Sequence, residues 1–158
     1  MNFIIYNWNC YVNESQKMVL SVGADNGIVL TPLGKAPADT QKWVLEPNFV
    51  ANASVAAGGF TLRNVAANQA IYQPVKPGQQ LSLGDDPTPY GQAEYCWTVF
   101  SAGFDTNTGL ETWAIQSYSR GAVMDAYGGK CDADTPVYFW DWNNIGNQNQ
   151  KWVIERVD

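Results

Sequence analysis

The sequence predicts an all-β domain of twelve short strands in three pseudo-repeats, and three observations carry that expectation. Tryptophans at 43, 97 and 152 recur at spacings of 54 and 55 residues. They sit in similar segments, Gln41-Lys42-Trp43-Val44-Leu45, Tyr95-Cys96-Trp97-Thr98-Val99 and Gln150-Lys151-Trp152-Val153-Ile154. A fixed period reports architecture before any element is assigned. Short apolar runs precede each tryptophan in the same order, and turn-forming compositions separate them. No window carries a helical period.

In the first repeat, approximately residues 1–47, the runs are Phe3 to Tyr6, Met18 to Val22, Ile28 to Thr31 and the segment at Trp43. The second, approximately 48–103, has Phe60 to Arg63, Ala70 to Tyr72, Leu81 to Leu83 and the segment at Trp97. The third, approximately 104–158, has Trp113 to Ser117, Val123 to Ala126, Val137 to Trp140 and the segment at Trp152. Asp25-Asn26-Gly27, Ala57-Gly58-Gly59, Lys76-Pro77-Gly78, Asn107-Thr108-Gly109 and Tyr127-Gly128-Gly129 supply turns between them. Three groups of four strands define a β-trefoil, here one domain over 1–158, whose closure removes exposed sheet edges. Alternation places Met124, Ala126, Val137, Phe139, Trp152 and Ile154 in the core, and turns Asp125, Tyr138 and Trp140 outward.

Composition narrows the function. The 158 residues are 46% apolar and 13% aromatic, enough for a sizeable core, but only 15% charged. A net charge of −6 with no Lys/Arg cluster removes the electrostatic attraction that nucleic acids and anionic lipid surfaces require. No apolar run reaches spanning length, so no membrane insertion is expected. The N-terminus has neither a basic lead nor a cleavage pattern, which predicts a cytoplasmic protein. Cys10, Cys96 and Cys131, odd in number and widely spaced, are expected to be free thiols in a reducing compartment.

Histidine is absent, which excludes histidine-based triads and histidine-ligated metals. Asp132 and Asp134 lack the glycine and distal glutamate of a calcium loop, so neither metal nor cofactor is expected. Asp125 with Asp141 is a weak basis for a glycosidase, and the chain is read as a non-enzyme.

The third repeat resembles the ricin-type lectins in Met124-Asp125-Ala126, Val137-Tyr138-Phe139-Trp140 and Asn149-Gln150-Lys151-Trp152. In that family a repeat ends in Gln-x-Trp, and its sugar site uses an early Asp, a mid-repeat aromatic and an Asn before the Gln. The resemblance implies that Asp125 accepts sugar hydroxyls, Trp140 stacks on the ring and Asn149 donates, with Asn143 and Tyr138 as further polar ligands. A pyranose has an apolar C–H face and a hydroxyl rim, so an aromatic plate beside a fixed donor and acceptor suits it. Repeat one has Ser21, Thr31 and Thr40 at these places; repeat two has Gln73, Gly84-Asp85 and Glu94, so neither is expected to bind in the same way.

Phe3-Ile4-Ile5-Tyr6-Asn7 and Lys151-Trp152-Val153-Ile154-Glu155-Arg156-Val157 look like the first and last strands of small mushroom ricin-B-like lectins. The resemblance implies glycans or glycoconjugates as partners, with galactose or N-acetylgalactosamine the associated sugars, and a homodimer as a means to avidity. The rival from another class is a β-trefoil protease inhibitor acting through loops at Pro32 to Asp39 or Gly84 to Gln92.

Overall fold

The computed structural model describes residues 1–48, 59–84, 93–118, 121–143 and 147–158. The expected turn at Ala57-Gly58, Asp85 and most of the loop from Gly84 to Gln92 lie outside the described residues. The first repeat holds β1 (Phe3–Asn7), β2 (Met18–Val22), β3 (Ile28–Pro32) and β4 (Trp43–Pro47). The second holds β5 (Phe60–Asn64), β6 (Ile71–Tyr72), β7 (Gln79–Gln80), β8 (Ser82–Leu83) and β9 (Trp97–Asp105). The third holds β10 (Leu110–Ser117), β11 (Val123–Ala126), β12 (Thr135–Trp140) and β13 (Trp152–Arg156).

The extra strand arises at Leu81, whose N–H donates to the Val137 carbonyl at 2.9 Å while its own carbonyl accepts from Ile28 N–H at 2.8 Å. One run is thereby divided. β7 pairs with β12 and β8 pairs with β6.

Six strands close a ring in the order β1, β4, β5, β9, β10, β13 and back to β1. Long antiparallel pairs, β1 with β13, β4 with β5 and β9 with β10, alternate with single contacts at Phe3–Trp43, Phe60–Trp97 and Trp113–Trp152. Each repeat tryptophan thus meets an aromatic residue of its own repeat, while the long pairs join one repeat to the next. The hairpins β2–β3, β6–β8 and β11–β12 accompany the ring. All three tryptophans are fully buried. Their indole N–H groups donate to equivalent carbonyls: Trp43 to Leu20 at 2.9 Å, Trp97 to Ile71 at 3.3 Å and Trp152 to Met124 at 3.1 Å. Met124, Ala126, Val137 and Phe139 join them, with Ile154 partly buried against the cluster, as alternation requires.

Two expectations fail. A seven-residue helix, α1 (Trp8–Glu14), follows β1 and ends at Ser15 with φ of 52°. It is too short for a hydrophobic period to register, and packing holds it: Trp8 and Tyr11 stack at 5.8 Å, with Tyr6 5.3 Å from Tyr11. Cys10 and Cys131 form a disulfide across 121 residues of chain, leaving Cys96 as a buried free thiol. Wide spacing in sequence hid this pair because ring closure brings the first and third repeats together.

Candidate functional site

Asp125 lies in β11 opposite Tyr138 of β12, and Val123 lies opposite Trp140. Cross-strand partners share a face, so Asp125, Tyr138 and Trp140 point to the same side of the hairpin. Trp140 is 43% exposed at the strand end. Behind it Gly78 takes φ of +95°, and a Cβ there would stand 3.2 Å from the Trp140 ring, so the turn at Gly78 backs the indole closely.

Asp125 is not an open surface carboxylate, as alternation alone had indicated. It is 7% exposed, and both oxygens are held: Asn149 Nδ2 donates to Oδ1 and Gln150 Nε2 to Oδ2, each at 2.8 Å. A carboxylate offers about four lone-pair sites, so each oxygen keeps acceptor capacity for a hydroxyl. Burial pushes this carboxyl above the ordinary aspartate value of 3.8, against the pull of the two amide hydrogen bonds.

Asn149 also changes role. Its second Nδ2 hydrogen goes to the Ala126 carbonyl at 3.0 Å, so its donors are spent and its carbonyl oxygen is what it can offer a ligand. Gln150, fully buried, gives its other Nε2 hydrogen to the Asp141 carbonyl at 2.8 Å and accepts from Asn143 N–H at 3.0 Å. One amide therefore fixes the carboxylate and the backbone after β12 together.

A pocket of about 260 Å³ opens at this place, and Asp125, Tyr138, Trp140, Asn143 and Asn149 all line it. Tyr127, Gly128 and Asn147 complete the lining. Sequence reasoning passed over these three, although Tyr127 stands two residues beyond Asp125 and so shares its outward alternation. Its ring lies 4.7 Å from that of Tyr138, forming a second aromatic surface. Trp142 turns elsewhere and packs edge-on against Phe100 at 5.2 Å.

The indole hydrogen bonds give the register between repeats. The residue after each accepting carbonyl is Ser21, Tyr72 or Asp125, so Tyr72, and not Gln73, is the second-repeat equivalent of Asp125. Gln73 is instead buried structure, bonded to the Cys96 carbonyl and to Ser117 Oγ.

In repeat one Gln41 repeats the geometry of Gln150. It donates to Thr31 Oγ1 at 2.8 Å and to the Pro32 carbonyl at 2.9 Å, and it accepts from Gly34 N–H at 3.0 Å. Thr31 thus falls at the Trp140 position and Ser21 at that of Asp125, without aromatic plate or carboxylate. In repeat two Tyr95 replaces the glutamine and meets Tyr72 edge-on at 5.4 Å.

No protein-family model matches the chain, and no curated protein matches it in sequence. Solved structures do. A ricin B-like lectin of Macrolepiota procera, in complex with lactose, is 18% identical with a TM-score of 0.65, over 99% of this chain and 96% of that one. The C-half of an earthworm R-type lectin, in complex with GalNAc, is 20% identical with a TM-score of 0.60, over 98% of this chain and 97% of that one. The designed three-fold symmetric protein ThreeFoil is 14% identical with a TM-score of 0.68, over 99% of both chains. A match to an exo-β-1,3-galactanase of Clostridium thermocellum, 19% identical with a TM-score of 0.69, covers 99% of this chain but 30% of that one. The fold is therefore a β-trefoil, shared end to end with these two lectins and ThreeFoil and with only part of the galactanase chain.

Proposed function

We propose that the protein is a carbohydrate-binding lectin that takes galactose or N-acetylgalactosamine units in the pocket at Asp125 and Trp140. The observation that supports it is a buried carboxylate, held by two amides, at a pocket walled by an exposed indole. Both halves of a pyranose are served: the indole takes its C–H face, and Asp125 takes the hydroxyl rim. Tyr138, Asn143 and the Asn149 carbonyl oxygen supply the remaining polar contacts. The ricin-B-like neighbours bound to lactose and GalNAc favour the same sugars.

A single shallow site predicts affinity for free monosaccharide near millimolar, roughly −4 kcal/mol. A glycan array followed by titration calorimetry tests the reading. Retention on galactose or N-acetylgalactosamine, lost in Trp140→Ala, is the expected outcome. Failure to bind any glycan, with nanomolar inhibition of a protease, would replace it by the inhibitor function.

A further inference from the structure

Beside the Trp140 pocket lies a second depression of about 440 Å³, and Gly128, Asn147 and Asn149 line both. Asn9, Gly129 and Gln148 complete its lining, which includes no charged side chain and no aromatic ring. Four amides around a polar hollow suit a neutral ligand that is itself rich in hydroxyl or amide groups. The lining offers hydrogen bonds without an ion pair or a stacking surface.

The amides are fixed in advance. The Cys10–Cys131 bond ties α1 to the chain just beyond the Tyr127–Gly129 turn. Asn9 Nδ2 donates to the Gly129 carbonyl at 2.9 Å. Asn13 Nδ2 then donates both to Asn9 Oδ1 at 2.8 Å and to Gln148 Oε1 at 3.1 Å, joining the helix to the last turn before β13. That clamp leaves the Gln148 Nε2 group, without a partner among the described residues, available to a ligand.

We propose that this depression is a second sugar subsite, continuous with the first, so that the protein reads an oligosaccharide of at least two residues. The inference rests on the reading of the Trp140 pocket as a sugar site. The two depressions share Gly128, Asn147 and Asn149, so a ligand seated against Trp140 enters the second by extending past these residues. The division of labour follows from the linings: stacking occurs in the first subsite, and hydrogen bonding to hydroxyl or N-acetyl groups in the second.

Titration of the whole protein with methyl β-galactoside, N-acetyllactosamine and lacto-N-neotetraose tests it. At least one oligosaccharide should bind about tenfold more tightly than the methyl glycoside, the increment expected of one or two added hydrogen bonds. Gln148→Ala should abolish that gain while changing methyl galactoside affinity by less than about twofold. In NMR spectra the Gln148 side-chain amide should shift with the oligosaccharide and not with the methyl glycoside. Equal affinities for short and long ligands, or a gain that survives in Gln148→Ala, would overturn the second subsite and leave the first standing. Absence of binding to all three would overturn both.

Discussion

Gln150 Nε2 lies 2.8 Å from Asp125 Oδ2, and the same glutamine holds the backbone at Asp141 and Asn143. The conserved geometry of Gln41 in repeat one shows this to be a fold device that the third repeat couples to a carboxylate. Gln150→Ala would leave the Asp141 carbonyl and one Asp125 oxygen short of partners. We predict a loss of about 1–3 kcal/mol in thermal unfolding, together with loss of glycan binding.

Asp125 should link binding and stability to pH in opposite senses. Its folded-state pKa is raised, so the protonated form adds stability at pH values below about 3.8, and that increment is lost as pH rises through the raised value. Binding needs the acceptor-only carboxylate. It should therefore weaken on acidification at higher pH than an ordinary aspartate would dictate. Calorimetric titration and thermal melts of wild type and Asp125→Asn across the acid range check both slopes, each of which the variant should flatten.

In repeat two, a Cβ at Gly84 would collide with the Tyr95 hydroxyl oxygen and stand 2.7 Å from Cε1 and Cζ of the same ring. Gly84→Ala should destabilise by about 1–3 kcal/mol through overpacking. Tyr95→Ala removes the whole obstructing ring, so the double variant should lose less than the two single changes added together. Additive losses in a double-mutant cycle would refute the contact.

The disulfide gives a fourth expectation. Cys10→Ser or reduction should cost about 2–5 kcal/mol, because a loop of 121 residues is freed in the unfolded chain. Oligosaccharide binding should suffer more than methyl glycoside binding, since the bond steadies α1 at the second depression and not the Trp140 wall. Melts and titrations with and without reductant read both effects.

The ring was legible in sequence because the three tryptophans are core residues under one geometric demand, and burial of that kind leaves a period. The pocket was legible in part. Asp125, Tyr138, Trp140, Asn143 and Asn149 do converge on one pocket, but alternation could not tell that Asp125 would be covered by Asn149 and Gln150, whose side chains arrive from outside the hairpin. Tyr72 was missed because a one-residue slip in a two-residue strand leaves almost no pattern to violate. The seven-residue helix was too short to leave a period, and the disulfide was hidden for a related reason: it joins the first and third repeats, which no local window contains.

The pairing of β1 with β13 continues to the chain ends, where Val157 N–H donates to the Asn2 carbonyl at 3.0 Å and Asn2 N–H to Asp158 at 2.9 Å. The two ends of the sequence thus meet at one of the three joints between repeats, built like the other two by antiparallel pairing. The ring of pairings is in this sense closed, and circular permutation of residues 1–158 is compatible with it: a short linker across the seam and a new opening at the Asp105–Gly109 turn would reorder the repeats while preserving the strand pairings of the described residues.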